Sequence, residues 1–181
     1  MRKQASKYYI LLLLVIIFLT PGIAAYLFYQ HPSWLGSSRV NKGDLLNPPI
    51  MLDVLDDKPK WRLIFWSPVA CDQVCLKHLD VLARIRLALG RKLYQVDQWL
   101  LLSDKAPPLS QEQQAFLKEV DFKVAKLPAD FIAKDTLLSE AKVFIADPGN
   151  YLILSYASQA NPEDVYKDLK LLLNTTENKS D

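Results

Sequence analysis

A bias toward charge of one sign is missing from this chain. Its 22 Lys plus Arg stand against 20 Asp plus Glu, so no whole-chain field draws it to nucleic acid or to acidic substrates. Also missing are a phosphate-binding loop, a serine-hydrolase elbow and a paired-acid signature, and there is no internal repeat or low-complexity segment. Cysteine and histidine are down to two each, which confines thiol or imidazole chemistry to Cys71, Cys75, His31 and His78. Between Tyr8 and Tyr29 charge is absent altogether.

That local absence is the first positive signal. Ile10 to Leu19 and Ile23 to Phe28 are two apolar runs joined through Thr20-Pro21-Gly22, and at about 1.5 Å per residue residues 8–29 cross a hydrocarbon core of about 30 Å as a transmembrane helix. Tyr8, Tyr9, Tyr26 and Tyr29 bracket it as interfacial anchors, and Pro21-Gly22 is a kink that a membrane helix tolerates. Arg2, Lys3 and Lys7 make residues 1–7 a basic tail that stays cytoplasmic, which puts the C-terminal part outside. Cleavage after Ala25 is the competing reading, and the apolar run that resumes beyond Ala25 argues against it.

Residues 30–60 read as a linker, since His31-Pro32, Gly36-Ser37-Ser38 and Asn47-Pro48-Pro49 interrupt any period, although Ile50-Met51-Leu52 has the character to pack on the domain C-terminal to it. Residues 61–174 supply that one domain and 175–181 a polar tail, and the sequons at Asn174 and Asn178 lie at and beyond the boundary between them. Trp61 to Trp66 predicts a strand ended by Ser67-Pro68. Cys71 to Arg91 predicts a helix stopped at Gly90, and Leu93 to Leu102 a second strand. Ser110 with Gln113 resembles a capping box for a helix to about Val120. A short piece spans Phe122 to Leu127, and Ala129 to Glu140 is ambiguous. Lys142–Ala146 and Tyr151–Ser155 flank Asp147-Pro148-Gly149-Asn150 as a hairpin. Asn161-Pro162 opens a last helix with Val165, Leu169 and Leu172 on one side. A βαβ crossover followed by a hairpin and a terminal helix is the layout of a thioredoxin-like α/β sandwich.

Cys71 and Cys75 lie where the first strand hands over to the first helix, in Ala70-Cys71-Asp72-Gln73-Val74-Cys75. Helix N-termini favour thiolates through unpaired N–H groups and the dipole, and Asp72 opposes that effect. One helical turn separates the two Cα atoms by about 6 Å, within reach of a disulfide, and the same spacing lets two thiolates grip one Cu(I). A disulfide closing so short a gap adds little stability by loop entropy, so a redox or metal role explains the pair better than a structural bridge or two inert thiols. His78 follows Cys75 by three residues. If the helix already includes Cys71, all three side chains share one stripe and a Cys-Cys-His set is possible. Leu82, Ile85 and Leu89 continue that stripe, so His78 as a core-edge or surface residue stands beside the ligand reading. His31 fits an interfacial residue better than a ligand. Trp61, Trp66 and Trp99 are most simply core or sheet-edge residues, and Lys77, Arg84 and Arg86 a solvated helix face.

The anchor, the C-x-x-x-C at the helix start and Phe144-Ile145-Ala146-Asp147-Pro148-Gly149 resemble the SCO copper-chaperone branch of the thioredoxin superfamily. A closer likeness is to small bacterial transmembrane proteins encoded among cytochrome c oxidase genes. They are similar in Asn41-Lys42-Gly43-Asp44-Leu45-Leu46-Asn47-Pro48, in Ala70-Cys71-Asp72 through Cys75, in Arg84 to Arg91, and in Asp147-Pro148-Gly149-Asn150 through Asp168-Leu169. The resemblance implies a single-pass protein of the bacterial inner membrane with a periplasmic domain. It implies a role in haem-copper oxidase assembly, with Cu(I) as the metal and the copper-site subunit as partner. On that reading Cys71 and Cys75 deliver copper or keep the oxidase cysteines reduced, as an assembly factor more than an enzyme. The histidine that SCO proteins place eight residues before the Asp-Pro turn is Ser139 here, which leaves the third ligand to His78 or to a partner. No proline stands near Glu140 to Lys142, where thioredoxin-type oxidoreductases place a cis proline. Two other expectations compete: an anchored thioredoxin-like interaction module without chemistry, and a general envelope thiol-disulfide oxidoreductase.

Overall fold

A computed structural model describes residues 2–31, 41–56, 58–132 and 136–177. The chain divides into two units, Met1–Val40 and Asn41–Asp181. The first contains helix α1, Arg2–Gln30, whose stretch Tyr8–Gln30 is 23 residues long and apolar enough to cross a membrane. Its large apolar side chains are exposed along its length, as expected of a helix whose partner is lipid rather than a protein core.

The second unit is built on a six-stranded mixed sheet. Its strands are β1 (Asp44–Met51), β2 (Trp61–Ser67), β3 (Val96–Ser103), β4 (Phe122–Leu127), β5 (Lys142–Ala146) and β6 (Tyr151–Ala157), in the spatial order β1-β6-β5-β2-β3-β4. β2, β3 and β4 run parallel, whereas β5 is antiparallel to β2, β6 to β5 and β1 to β6. The helices are α2 (Gln73–Ala88), α3 (Gln111–Glu119), the single turn α4 (Ala129–Ile132) and α5 (Pro162–Glu177). All seven residues of β2 and all eight of β3 are buried, which accounts for their near-continuous apolar runs: a central strand covered on both faces has no solvent side on which to alternate.

Each face of the sheet has its own core. On one, Leu63, Phe65, Leu100, Val143 and Ile145 lie under Leu79, Leu82 and Ile85 of α2 and Val165, Leu169 and Leu173 of α5. On the other, Ile64, Trp66, Trp99, Leu101 and Phe144 pack with Leu52, Leu55 and Leu138. The indole N–H of Trp66 donates to Leu138 O at 2.9 Å, which ties the turn Thr136–Leu138 to this face.

Three local signals act as their chemistry dictates. The Ser110 and Gln113 capping box is closed on both sides. Gly90, at φ +60°, ends α2 in a conformation that costs glycine nothing. Asp147 Oδ1 accepts from Gly149 N and Tyr151 N, both at 2.9 Å, to hold the β5–β6 turn.

The structure differs from the sequence expectation in three places. Within the stretch read as a linker, Asp44–Met51 is the edge strand β1, paired with β6 on either side of an irregularity between Leu45 and Ile50. Asn47-Pro48-Pro49 falls in that irregularity, where two prolines without N–H groups cost no ladder bond, and edge strands tolerate them. The helix expected over Cys71–Arg91 is shorter, because Asp72 takes the N-cap position and the chain past Leu89 tightens into a 3-10 turn, Gly90–Gln95. The tail expected from residue 175 continues α5 to Glu177. Asn178 and its sequon, like residues 32–40 of the linker, lie outside the described residues.

Candidate redox site

β2 runs through the middle of the sheet and delivers the chain to its C-terminal edge at Ser67, whose hydroxyl donates to Val69 O at 3.1 Å. Pro68, Val69 and Ala70 then lead to Cys71, and the helix begins two residues later. Asp72 is extended (φ −95°, ψ −170°), and its Oδ1 accepts from Val74 N at 3.0 Å and Cys75 N at 2.9 Å. It thereby satisfies two of the four N–H groups that a helix start leaves without partners.

Cys71 and Cys75 are joined by a disulfide with their Cα atoms 5.1 Å apart, and no cysteine is left free. Both are almost fully buried, at 4% and 5% exposure, but Val69 at 66% and Val74 at 57% stand out on either side. Gln113, from α3, donates through Nε2 to the Cys71 carbonyl at 2.5 Å. It also lines an open groove of about 550 Å³ between α2 and α3, together with Gln73, Leu76, Lys77, Asp80 and Phe116.

The two cysteines expected to act together are together, but the remaining candidates do not complete a metal centre. The shared stripe for Cys71, Cys75 and His78 required Cys71 to be helical, and Cys71 precedes the N-cap. His78 is half-buried and stacks on Phe65, with ring centroids 5.5 Å apart and planes 19° from parallel. His31 belongs to the first unit. Ser139 is exposed on the bend before β5. Among the described residues no three His, Cys, Asp or Glu side chains are grouped to hold an ion. Sequence reasoning did not find Gln113: its capping role is local and legible, whereas its bond to Cys71 spans 42 residues and leaves no local signal.

Asp72 sets the electrostatics of the site. Its carboxylate takes two amides at the start of α2, and a negative charge at a helix N-terminus works against the dipole that favours a thiolate there. Asp72→Asn keeps a competent N-cap and removes the charge. Alkylation of the reduced variant by iodoacetamide at neutral pH is expected to run about threefold to tenfold faster than in the wild type. Equal rates would show that Asp72 does no more than cap the helix.

A family model described as a transmembrane-like, thioredoxin-like C-terminal domain matches residues 61–176. No curated protein matches the chain. Among solved structures, apo Sco1 from Thermus thermophilus is similar at TM-score 0.54 and 20% identity, over 76% of this chain and 99% of that one. ScoI of Arabidopsis thaliana with copper bound is similar at TM-score 0.50 and 12% identity, over 65% and 86%. BsSco, described as a member of the Sco family of cytochrome c oxidase assembly proteins with a disulfide switch, is similar at TM-score 0.50 and 11% identity, over 76% and 99%. At such identities the likeness establishes the fold, which is thioredoxin-like.

Proposed function

The chain belongs to the transmembrane-like, thioredoxin-like C-terminal domain family, and from that premise we propose that it is a membrane-anchored accessory factor of cytochrome c oxidase biogenesis working through Cys71 and Cys75. The observation that carries this reading is the disulfide itself. Two bonded sulfurs lie beyond the C-terminal end of the central strand β2, one just before the N-cap of α2 and one in its first turn, outside the paired residues of the sheet.

In the reduced state one thiolate attacks a disulfide between the copper-site cysteines of the oxidase subunit, giving a mixed disulfide, and the second sulfur resolves it. The Cys71–Cys75 bond forms, the target bond breaks, and two electrons and two protons pass to the target as two thiols. The same two thiolates suit Cu(I) as cargo, since soft sulfur donors select it. The donor set on hand is two sulfurs, and among the described residues no third His, Cys, Asp or Glu side chain is grouped with them. The helix α1 keeps this pair at the bacterial inner membrane, with Arg2, Lys3 and Lys7 on the cytoplasmic side and the domain in the periplasm.

The test uses the full chain in detergent. After reduction it is expected to bind one Cu(I) in competition with a chelator, or to reduce an oxidised peptide carrying the oxidase copper-site cysteines. In the host, Cys71→Ser with Cys75→Ser is expected to lower cytochrome c oxidase activity. Little stability is lost with a disulfide that closes so short a gap, so unchanged activity in that double variant would rule the thiol mechanism out. Co-purification with an oxidase subunit regardless of the cysteines would instead identify an interaction module, and reduction of generic disulfides at equal rate a general oxidoreductase.

A further inference from the structure

Cys71 lies outside the helix that carries its partner. The α-helical ladder starts with the Asp72 carbonyl, which accepts from Leu76 N at 3.0 Å, so no helical bond fixes Cys71. Among the described residues, two bonds attach it besides its packing in the core: the disulfide to Cys75, and the amide of Gln113 on the Cys71 carbonyl. Reduction removes the first and leaves the second.

Gln113 is well placed for this. Its Oε1 accepts from Ser110 N at 2.8 Å and its own N–H donates to Ser110 Oγ at 3.2 Å, so the capping box fixes the side chain that reaches Cys71. One end of the amide group holds α3 and the other holds the loop before α2.

We propose that Gln113 is a positioning residue for the thiol pair: its amide keeps the Cys71 main chain within reach of Cys75 after reduction, which favours the disulfide over the dithiol. Holding two thiols near each other raises their effective concentration, and a chain released into many conformations lowers it. The dithiol is therefore a stronger reductant with Gln113 than without it. This rests on the reading of Cys71 and Cys75 as the working pair.

The experiment equilibrates the full chain in detergent with dithiothreitol redox buffers and measures the dithiol–disulfide constant by thiol alkylation, for wild type, Gln113→Ala, Gln113→Glu and Ser110→Ala. Gln113→Ala loses the cap and the Cys71 contact, Ser110→Ala disturbs the cap alone, and Gln113→Glu keeps a capping acceptor but cannot donate to Cys71. Both Gln113 variants are expected to shift the constant toward the dithiol by about threefold to tenfold, the worth of one hydrogen bond, or roughly 15 to 30 mV. Ser110→Ala is expected to stay near wild type. Constants for the Gln113 variants within about 1.5-fold of wild type, or an equal shift in Ser110→Ala, would overturn the proposal. A wild-type disulfide that dithiothreitol cannot open in the folded protein overturns instead the reading of the pair as redox-active, so the two failures are distinct.

Discussion

Arg62→Met is expected to destabilise the C-terminal domain by about 3 to 5 kcal/mol, the usual cost of emptying one half of a buried charged network. Arg62 is fully buried on the central strand β2. Its Nη1 donates to Lys60 O at 2.8 Å and Asp147 O at 3.2 Å, and its Nη2 to Asp56 O at 2.5 Å and Lys58 O at 2.7 Å. One guanidinium thus gathers the chain entering β2 and the turn leaving β5. Methionine fills much of the volume but satisfies none of those carbonyls, and lysine, with a single ammonium on a flexible stem, cannot reproduce the fork. Around it, Lys123 bridges Asp56 and Asp97 at 2.6 Å each, and Lys60 reaches Asp97 at 3.0 Å. Burial disfavours charge on both carboxyls, but the hydrogen bonds from Lys123, with Arg62 on Asp56 and Lys60 on Asp97, outweigh it and hold both below the ordinary carboxylate range. A lowered folded-state value gives stability that is present above the unfolded value and lost as pH falls through the folded one, so the wild type weakens below about pH 4. Thermal melts followed by tryptophan fluorescence read the result: a fall of about 10 °C is expected for Arg62→Met, and a change under about 2 °C would mean that water replaces the guanidinium without loss.

The same network marks how far the sequence could be read. Trp61 to Trp66 identified the central strand, and Ser110 with Gln113 identified a helix start, because each depends on residues a few positions apart. The hairpin around Asp147 and Asn150 was legible for the same reason. Where partners are distant the signal vanishes. β1 contains two prolines and no clean alternation, and only its pairing with β6, more than a hundred residues later, makes it a strand. At the candidate site, the two cysteines were legible from type and spacing. The shared stripe of Cys71, Cys75 and His78 depended on a helical Cys71, and Asp72 takes the N-cap position instead, so the helix starts after Cys71. The likeness noted in Asn41 to Pro48 and in Asp168-Leu169 carried no mechanism in the sequence, and the fold supplies one.

Those two motifs meet in a single buried clamp, and breaking it is expected to cost about 3 kcal/mol. Asp168 Oδ2, on α5, accepts from Lys42 N at 2.7 Å, Gly43 N at 2.9 Å and the Tyr156 hydroxyl at 2.7 Å. Asp168 is 2% exposed, so Asp168→Ala leaves buried donors without partners, at about 1 to 3 kcal/mol each where water cannot enter. Gly43 is required by proximity: a Cβ there would collide with the Tyr156 ring. Gly43→Ala must therefore push the chain off the ring and lengthen the two amide bonds to Asp168. Because both substitutions release the same clamp, the double variant is expected to cost clearly less than the sum of the two. Strict additivity would show that Gly43 and Asp168 act independently. The clamp also has a pH signature. Burial, reinforced by the hydrogen bond and the charge of Asp168, pushes the Tyr156 hydroxyl far above its ordinary range. Above about pH 10 the unfolded chain ionises this tyrosine and the folded chain does not, so stability present below that pH falls by up to about 1.4 kcal/mol per unit as pH rises. Tyr156→Phe is expected to be less stable at pH 7, since it removes one donor to Asp168, and to lose this part of the alkaline slope. An unchanged slope between pH 10 and 11 would place the titration elsewhere and remove Tyr156 from the account. With the clamp intact, hydrogen exchange at the β1 amide that bonds to β6 within the Asp44–Leu45 pairing is expected to be protected, and Asp168→Ala is expected to accelerate it more than at Leu63 or Leu100, because β1 loses its anchor on α5 while the central strands keep their neighbours.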